Sequence, residues 1–297
     1  MKCGYVTIIG KPNVGKSTLL NTILKQKISI VSPKPATTRI KVIGIYNDER
    51  GQIIFIDTPG FEEGKNELGK FMLKSIYSSC EETDLILFLI ECNGWKEEDE
   101  KILDALKKID NKKVILGINK IDTLKFKEEL LPLIDESSKK FKFIEIVPFS
   151  ALKNKNLDEL IKAIFLHLPE SEKFYPSDMI TNLPVEYKLA EIIREKILLK
   201  TYQEVPHSVA VEIEEIRRGE KNENIIVITA NIIVDRENLK SIIIGKDGKM
   251  IKTIGKLARE EIELIFGKKV YLKLWVKVIE DWRNKADVFR KFGYGNI

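Results

Sequence analysis

The sequence predicts a two-domain protein in which an α/β domain precedes a smaller α+β domain. Its 297 residues suffice for two domains of ordinary size. Up to Leu168, short apolar strands alternate with amphipathic helices, which is typical of a mostly parallel sheet with helices on both faces. After a proline-containing stretch the order becomes helix, two strands, two helices and a strand. We therefore predict a first domain at 1–170, a linker at 171–184 and a second domain at 185–297.

Six segments of the first domain are rich in β-branched and aliphatic residues, which predicts six strands. Leu85–Ile90 is apolar without interruption, as expected of a strand buried on both faces. The predicted strands are Val6–Ile9, Val42–Tyr46, Ile53–Asp57, Leu85–Glu91, Val114–Asn119 and Phe143–Pro148. Apolar residues at helical spacing predict helices at Thr18–Leu24, Gly69–Glu81, Lys96–Ile109, Lys127–Phe141 and Leu157–Leu168.

The stretch Pro169–Pro184 contains three prolines and little periodicity, which predicts the linker. A long amphipathic helix follows it, and a glycine-containing turn separates two later helices. The predicted elements of the second domain are a helix at Val185–Thr201, strands at His207–Ile216 and Ile225–Asp235 joined by a polar turn at Arg217–Asn224, a helix ending near Ile244, a helix at Lys249–Phe266 and a strand at Lys269–Val278.

Composition narrows the class of protein. The apolar fraction is 43%, and no apolar run approaches the roughly 20 residues of a membrane span. The N-terminus leads directly into the first strand, and the three cysteines (Cys3, Cys80, Cys92) have no metal-binding spacing. We therefore expect a cytoplasmic protein with reduced thiols. The net charge of +5 says little, but residues 236–256 carry six basic side chains against two acidic ones.

The segment Gly10–Ser17 reads GKPNVGKS and fits the phosphate-loop pattern G-x-x-x-x-G-K-[ST] at every fixed position. It lies between a strand and a helix, so that main-chain N–H groups and the positive end of the helix dipole converge where a β-phosphate would bind. Lys16 can reach the β- and γ-phosphates, and the Ser17 hydroxyl can ligate Mg²⁺. The predicted nucleotide contacts are Gly10, Lys11, Pro12, Asn13, Val14, Gly15, Lys16, Ser17 and Thr18.

Two further segments fit a γ-phosphate and its metal ion. Asp57-Thr58-Pro59-Gly60 follows the third strand; its aspartate can hold Mg²⁺ through water, and the Gly60 N–H can contact the γ-phosphate. The loop Pro35–Arg39 offers a threonine that can close onto the metal ion and release it after hydrolysis. We favour Thr38 as this residue, with Thr37 as the alternative.

The base-recognition residues follow the fifth and sixth strands. In Asn119-Lys120-Ile121-Asp122, the Asp122 carboxylate can accept the N1–H and 2-amino protons of guanine, a donor pair that adenine lacks. Lys120 can lie over the base, and Asn119 can bond N7 and connect the loops. The segment Ser150-Ala151-Leu152 can offer the Ala151 N–H to guanine O6. Four such motifs in this order, each after a strand, predict a guanine-nucleotide site.

A glycine turn in the second domain predicts a nucleic-acid site. The I-G-x-x-G sequence at 244–248 lies between two helices, and such a turn lets an RNA backbone approach the main chain while an apolar groove holds unstacked bases. Lysines beside the turn can neutralise phosphates, and isoleucines before it can line the groove. The predicted RNA-binding residues are Ile243, Ile244, Gly245, Lys246, Asp247, Gly248, Lys249 and Lys252.

These motifs together resemble a known family. The first domain resembles a translation-factor-related GTPase, the glycine turn resembles that of a type II KH domain, and nearly the whole chain resembles the Era family of bacterial ribosome-assembly GTPases. The resemblance implies GTP and GDP as ligands with Mg²⁺, single-stranded RNA near the 3′ end of small-subunit ribosomal RNA as target, and a monomer that assists small-subunit assembly.

The hydrolytic apparatus departs from that of Ras-like enzymes. They have a glutamine directly after D-x-x-G, and here that position is Phe61, so we expect slow intrinsic turnover. Related GTPases use an asparagine at the position of Asn13 to hold K⁺, which implies K⁺-stimulated hydrolysis. Lys16, Thr38, Gly60 and Asn13 are thus the predicted catalytic residues. Two alternatives stay open: an RNA-binding module with a vestigial GTPase domain, and a GTPase peripherally bound to the inner face of the cell membrane.

Overall fold

The computed structural model describes residues 1–34, 37–61, 66–109, 111–202, 204–220 and 223–294. It divides into two compact units, one within residues 1–182 and the other within 183–294, with short segments from 32–37 and 65–68 grouped with the second unit. The division after Asn182 lies close to the predicted start of the second domain. Among the described residues, no helix has the length and apolar character that crossing a membrane requires.

The described residues of the first unit form six strands and five α-helices. Its strands are β1 (Lys2–Gly10), β2 (Val42–Asp48), β3 (Gly51–Asp57), β4 (Leu85–Glu91), β5 (Lys113–Asn119) and β6 (Glu145–Pro148). Its helices are α1 (Lys16–Leu24), α2 (Glu67–Glu82), α3 (Glu97–Leu106), α4 (Leu130–Lys140) and α5 (Leu157–His167).

The strands form one sheet in the order β2-β3-β1-β4-β5-β6. β2 pairs antiparallel with β3 and the other pairings are parallel, so the predicted mostly parallel sheet is confirmed. The order reverses at β1, which has β3 on one side and β4 on the other. Ligands of open α/β sheets bind outside the carboxyl ends of the strands at such a reversal. This is the edge that carries Gly10, Asp57 and Asn119.

The core of this unit surrounds the central strands. Every residue of Leu85–Ile90 is fully buried, because helices cover both faces of β4. Cys80 and Cys92 are buried in the same apolar cluster as Phe88 and Leu116, with α2, α3 and α4 packed around them. Burying each large side chain contributes about 1.5–3 kcal/mol, so this packing holds the strand ends, and the loops that follow them, in fixed positions.

Most of the predicted linker packs on the first unit. The fully buried Gln52 donates through Nε2 to the Tyr175 carbonyl at 2.9 Å, and its Oε1 accepts the Phe174 and Tyr175 N–H groups at 2.9 and 3.0 Å. Further along, the Ile45 N–H donates to the Ile180 carbonyl at 2.8 Å. Low periodicity in the sequence thus reflects an extended segment fixed by hydrogen bonds.

The second unit has the predicted helix-strand-strand-helix-helix-strand order with two short additions. Its elements are α6 (Val185–Lys200), α7 (Val205–Ser208), β7 (Ala210–Arg218), β8 (Ile225–Val234), α8 (Glu237–Ile244), α9 (Lys249–Phe266), β9 (Lys269–Val278) and α10 (Ala286–Lys291). The strands form a sheet in the order β7-β8-β9, with β7 antiparallel and β9 parallel to β8. Helix α9 buries Ile254, Ala258 and Ile262, which recur at helical spacing.

The structure changes several predicted boundaries. Strand β6 begins at Glu145 rather than Phe143, and α3 ends at Leu106 rather than Ile109. The segment predicted as the start of a strand at His207 belongs to α7, because Pro206 removes a main-chain donor and fits the first turn of a helix. Helix α10, with its buried Phe289, was not predicted because its six residues are too few to show periodicity.

Candidate nucleotide site and nucleic-acid interface

The phosphate loop joins β1 to α1 and is folded around the ammonium group of Lys16. This group donates to the Gly10 carbonyl at 2.9 Å and to the Lys11 carbonyl at 3.1 Å. Gly15 has φ 106°, and a Cβ there would lie 2.3 Å from Nδ2 of Asn119, so this position requires glycine. The loop therefore has the shape and the charge to enclose a phosphate group.

Burial sets the electrostatics of Lys16. The side chain is nearly inaccessible, and desolvation lowers its pKa to about 8, while the nearby Asp57 carboxylate acts in the opposite direction. A phosphate group in the loop would add negative charge beside the ammonium and favour its charged form. Lys16 is thus placed to stabilise charge on β- and γ-phosphate oxygens.

Three oxygen-bearing side chains meet beside the loop, as a magnesium site requires. The Ser17 hydroxyl donates to Oδ2 of Asp57 at 2.7 Å and lies 2.9 Å from the Thr38 hydroxyl. Asp57 is fully buried, which raises its pKa, and its Oδ1 has no hydrogen-bond partner in the described part of the chain. One carboxylate with hydroxyls and phosphate oxygens suits Mg²⁺, which rarely has an all-protein cage.

The hydrogen bonds of Thr37 and Thr38 distinguish the two candidate threonines. Thr38 is within hydrogen-bond distance of Ser17, whereas the Thr37 hydroxyl donates to the Lys34 carbonyl at 2.6 Å. Of the two, Thr38 is therefore the threonine that lies beside Ser17 and Asp57, as the preferred prediction requires. Pro35 and Ala36 of the predicted loop lie outside the described residues.

The residue after D-x-x-G packs as a hydrophobic group. The Phe61 ring contacts Tyr77 edge-on at 6.1 Å and lies against the apolar core, and the Phe61 N–H donates to the Gly10 carbonyl at 3.2 Å. An aromatic ring cannot orient a water molecule by hydrogen bonding. A Cβ added at Gly60 would lie 3.0 Å from Cα of Pro12. The D-x-x-G turn therefore lies directly against the phosphate loop.

Asn119 connects three loops at the base end of the site. Its Nδ2 donates to the Val14 carbonyl at 2.8 Å, and its Oδ1 accepts the N–H groups of Lys120 at 2.8 Å and Ala151 at 3.0 Å. The predicted connecting role therefore has a structural basis. The Ala151 N–H is directed at Asn119, so a contact with guanine O6 would require this donor to be shared.

The acidic residue of the predicted base site, Asp122, is oriented by a hydrogen bond from Ser150. Asp122 is exposed, and its Oδ1 accepts a hydrogen bond from the hydroxyl of the buried Ser150. Leu152 is 72% exposed beside it. Lys120 has a left-handed backbone (φ 67°), and its ammonium group pairs with Glu91 at the end of β4. Ser150 and Glu91 thus fix two side chains that would surround a guanine base.

The remaining predicted loop residues have different roles. Val14 is fully buried, whereas Asn13 is exposed and has a left-handed backbone (φ 62°). Thr18 accepts, through its carbonyl, the Thr22 hydroxyl at 2.8 Å. Lys11 directs its side chain to the buried Asp99, 3.1 Å away, so only its main chain is available to a nucleotide.

Sequence reasoning did not identify Asp99 or Glu91 as part of this site. Asp99 also accepts the Lys96 N–H at 3.0 Å as α3 begins, a placement that an acidic residue in any first helical turn would share. Burial raises its pKa, and Lys11 opposes that effect. Nothing in the sequence relates residues 88 positions apart, and only the fold brings Asp99 to the phosphate loop.

The glycine turn of the second unit has the backbone that its sequence predicts. Gly245, Asp247 and Gly248 have φ of 72°, 53° and 71°, and Lys246 and Lys249 are exposed on the turn. A Cβ at Gly245 would lie 2.6 Å from Cβ of Met250, so a side chain there would displace the start of α9. The turn therefore presents main chain and two positive charges to solvent.

An open groove of about 410 Å³ lies between α9 and β9. It is lined by Ile251, Lys252, Gly255, Lys256, Arg259, Tyr271, Leu272 and Leu274. Ile244 is partly buried at the end of α8, but Ile243 is completely buried and packs in the core, so it cannot line an accessible surface. The apolar wall of the groove is instead built by Ile251 and the two leucines of β9.

A phosphate loop beside N-K-x-D and S-A-L segments, followed by a domain with a glycine turn and a groove lined by basic residues, is typical of a GTPase joined to an RNA-binding domain. The family profile described as 50S ribosome-binding GTPase matches residues 5–120, and the KH domain profile matches residues 204–283. The chain is therefore an enzyme that binds and hydrolyses GTP, and its second unit is a KH domain.

Full-length relatives identify the family. The chain is 54% identical to GTPase Era of Aquifex aeolicus and 45% identical to GTPase Era of Clostridioides difficile, with 99% of each chain covered in both comparisons. It belongs to the Era family of GTPases, which confirms the predicted family.

Two solved structures match over 99% of both chains with a TM-score of 0.96 and 55% identity. One is an Aquifex aeolicus Era variant bound to GDP and AlF₄⁻, and the other is Era in complex with MgGDPNP and nucleotides 1506–1542 of 16S ribosomal RNA.

Proposed function

We propose that this chain is a GTP-controlled switch that binds a single-stranded segment near the 3′ end of small-subunit ribosomal RNA and assists assembly of the small subunit. The observation that carries the proposal is the glycine turn with its exposed lysines, Lys246 and Lys249, directly before the helix α9 that forms one wall of the groove. Such grooves bind unstacked bases while the turn contacts the RNA backbone. A relative at 55% identity whose structure contains a 16S fragment supports the choice of RNA.

In this proposal the first unit binds GTP with Mg²⁺ through the loop residues described above. Ser17, Thr38 and Asp57 hold the metal ion, Lys16 and the Gly60 N–H stabilise the γ-phosphate, and Asp122 selects guanine. The protein's contribution to hydrolysis is positioning and electrostatic stabilisation, because Phe61 provides no acceptor for a water molecule. We accordingly expect slow turnover in the absence of a partner.

A double charge reversal tests the RNA site. Lys246→Asp with Lys249→Asp should weaken binding of a single-stranded RNA that has the 3′-terminal small-subunit sequence by about 100-fold, since two phosphate contacts become repulsive. GTP affinity should not change. The matched control is Lys139→Asp with Lys162→Asp, which makes the same change in net charge at lysines 72% and 73% exposed in the first unit. Equal loss in both variants would contradict a groove-specific site.

Replacing K⁺ by Na⁺ in the assay buffer tests the role of Asn13. Asn13 is an exposed residue of the phosphate loop with a left-handed backbone, and an amide oxygen is a ligand that K⁺ can take. We expect GTP turnover to be about tenfold faster in KCl than in NaCl at equal ionic strength, since a cation at this place stabilises transition-state charge. Asn13→Ala should abolish the difference without loss of GTP affinity. Equal rates in the two salts for the unmodified protein would remove the K⁺ role.

A further inference from the structure

One strand of the KH domain carries an exposed row of alternating lysines and aromatic rings. On β9, the residues Lys269, Tyr271, Lys273, Trp275 and Lys277 are all exposed and form what we name the basic–aromatic strip. The two rings are 57% and 59% exposed. Large aromatic side chains are usually buried in cores, and two such rings on a single strand are a feature that packing does not explain.

The strand geometry places these side chains on one side of the sheet. Successive residues of a strand point to opposite faces, so Val270, Leu272 and Leu274 face the helices while the strip faces away from them. β9 is the edge strand of the sheet. The Lys273 ammonium lies 5.6 Å from the centre of the Tyr271 ring, which keeps a positive charge beside an accessible aromatic face.

The strip is continuous with the groove. Tyr271 is the second residue of the strip and also lines the groove between α9 and β9. Because β9 is the edge strand, this side chain can border the groove as well as the opposite face of the sheet. An RNA chain that leaves the groove at Tyr271 therefore meets the strip next. Trp275 follows four residues later, about 13 Å along the strand. Lys273 lies between the two rings, and Lys277 lies beyond them.

The charged residues of the two edge strands favour a polyanion at β9. The described residues of β9 include three lysines and no acidic residue, whereas β7, at the opposite edge of the sheet, carries Glu212, Glu214 and Glu215 besides Arg217 and Arg218. Asn231 of β8 donates to Glu214 at 3.2 Å and separates the acidic strand from Trp275, its partner in the sheet. The lysines of β9, with no acidic residue on the same strand, therefore favour a negatively charged ligand along this edge.

We propose that the basic–aromatic strip is a second RNA-binding surface, which takes single-stranded RNA as it continues out of the KH groove. Bases stack on Tyr271 and Trp275, and Lys273 and Lys277 contact the phosphates between and beyond them. Aromatic platforms alternating with cations are what sequence-tolerant binding of single strands requires, because every base has a π-face. The proposal rests on the RNA-binding function of the groove and extends the length of RNA bound.

Affinity as a function of RNA length tests the strip in the full-length protein. The probes are fluorescent single-stranded RNAs with the 3′-terminal small-subunit sequence, one of about four nucleotides that fills a KH groove and others extended in steps to about twelve. For the unmodified protein, affinity should rise with length beyond the groove. Trp275→Ala should weaken binding of the longest RNA about tenfold and leave the shortest unchanged. Trp275→Phe, which keeps a ring, should remain within about twofold.

Phe126→Ala is the matched control, since it removes a ring 69% exposed in the first unit. If Trp275→Ala binds the long RNA as well as the unmodified protein does, the strip proposal is overturned while the groove stands. If the unmodified protein binds none of the RNAs, the proposed function itself fails. If Trp275→Ala instead loses binding to vesicles of anionic phosphatidylglycerol and keeps full RNA affinity, the strip is a lipid surface and the proposal is wrong.

Discussion

The nucleotide site and the proposed RNA site of this chain are made from opposite kinds of surface. In the first unit, Lys16, Asp57, Asn119 and Ser150 are all less than 7% exposed, and each is held by hydrogen bonds to neighbouring loops. In the KH domain, the lysines of the glycine turn and of β9 extend into solvent. One site is preorganised inside the fold, and the other is a charged, partly apolar exterior.

This difference predicts how the two sites respond to mutation. A buried polar group that loses its partner is left desolvated, which costs several kcal/mol, whereas an exposed charge is hydrated and screened by salt. Substitutions in the nucleotide site should therefore be severe and depend on one another. Those in the RNA site should be modest, roughly additive and dependent on ionic strength.

The largest effect is expected at Asp122, an exposed carboxylate that a bound guanine base would cover and remove from water. Asp122→Asn replaces an acceptor by a donor opposite the guanine N1–H and 2-amino groups, and we expect GTP affinity to fall about 1,000-fold, or about 4 kcal/mol. The same variant should gain affinity for XTP, whose 2-oxo group accepts a hydrogen bond. Calorimetric titration with both nucleotides measures this exchange.

Asp135→Asn is the control for Asp122→Asn, because it removes a carboxylate that pairs with Lys139 on the exposed surface of α4. It should leave both affinities unchanged. An Asp122→Asn protein that still prefers GTP to XTP would show that the carboxylate does not select the base.

The nucleotide site could be predicted from the sequence more completely than the groove of the KH domain. Phosphate and base contacts need fixed residue types at fixed spacings, so GKPNVGKS, DTPG, NKID and SAL were recognisable. The strand–helix alternation predicted a mostly parallel sheet, but only the structure gives the order of its strands. The exposed groove needs only positive charge and apolar surface, so the isoleucine Ile243 was placed there although it is core. Residues that act through others, such as Asp99, have no sequence pattern at all.

An intermediate effect is expected at Asp99, which reaches the nucleotide site only through Lys11. The buried carboxylate holds the Lys11 side chain, and the Lys11 carbonyl accepts a hydrogen bond from Lys16. Asp99→Asn keeps the shape of the side chain but removes the charge that pairs with Lys11. We expect GTP and GDP affinity to fall about tenfold with the base preference unchanged.

Asp104→Asn is the control for Asp99→Asn, since this aspartate lies on the same helix in an exposed pair with Lys107. A second measurement separates positioning from stability: thermal unfolding with saturating GDP should bring Asp99→Asn close to the unmodified protein, because the ligand organises the loop. If nucleotide affinity is unchanged while the melting temperature falls, Asp99 stabilises α3 only.

The smallest effect is expected at Lys252, whose side chain lines the RNA groove and is exposed. Lys252→Ala should weaken RNA binding only about threefold in moderate salt, and should reduce the slope of log affinity against log salt by about 1, as expected for one lost phosphate contact. The control is Lys162→Ala in the first unit, which should alter neither quantity. A loss of affinity with an unchanged salt slope would mean that the Lys252 stem packs against bases, and the RNA site would then share the packed character of the nucleotide site. A loss as large as that at Asp122 would break the contrast between the two sites, because no hydrated surface charge contributes that much.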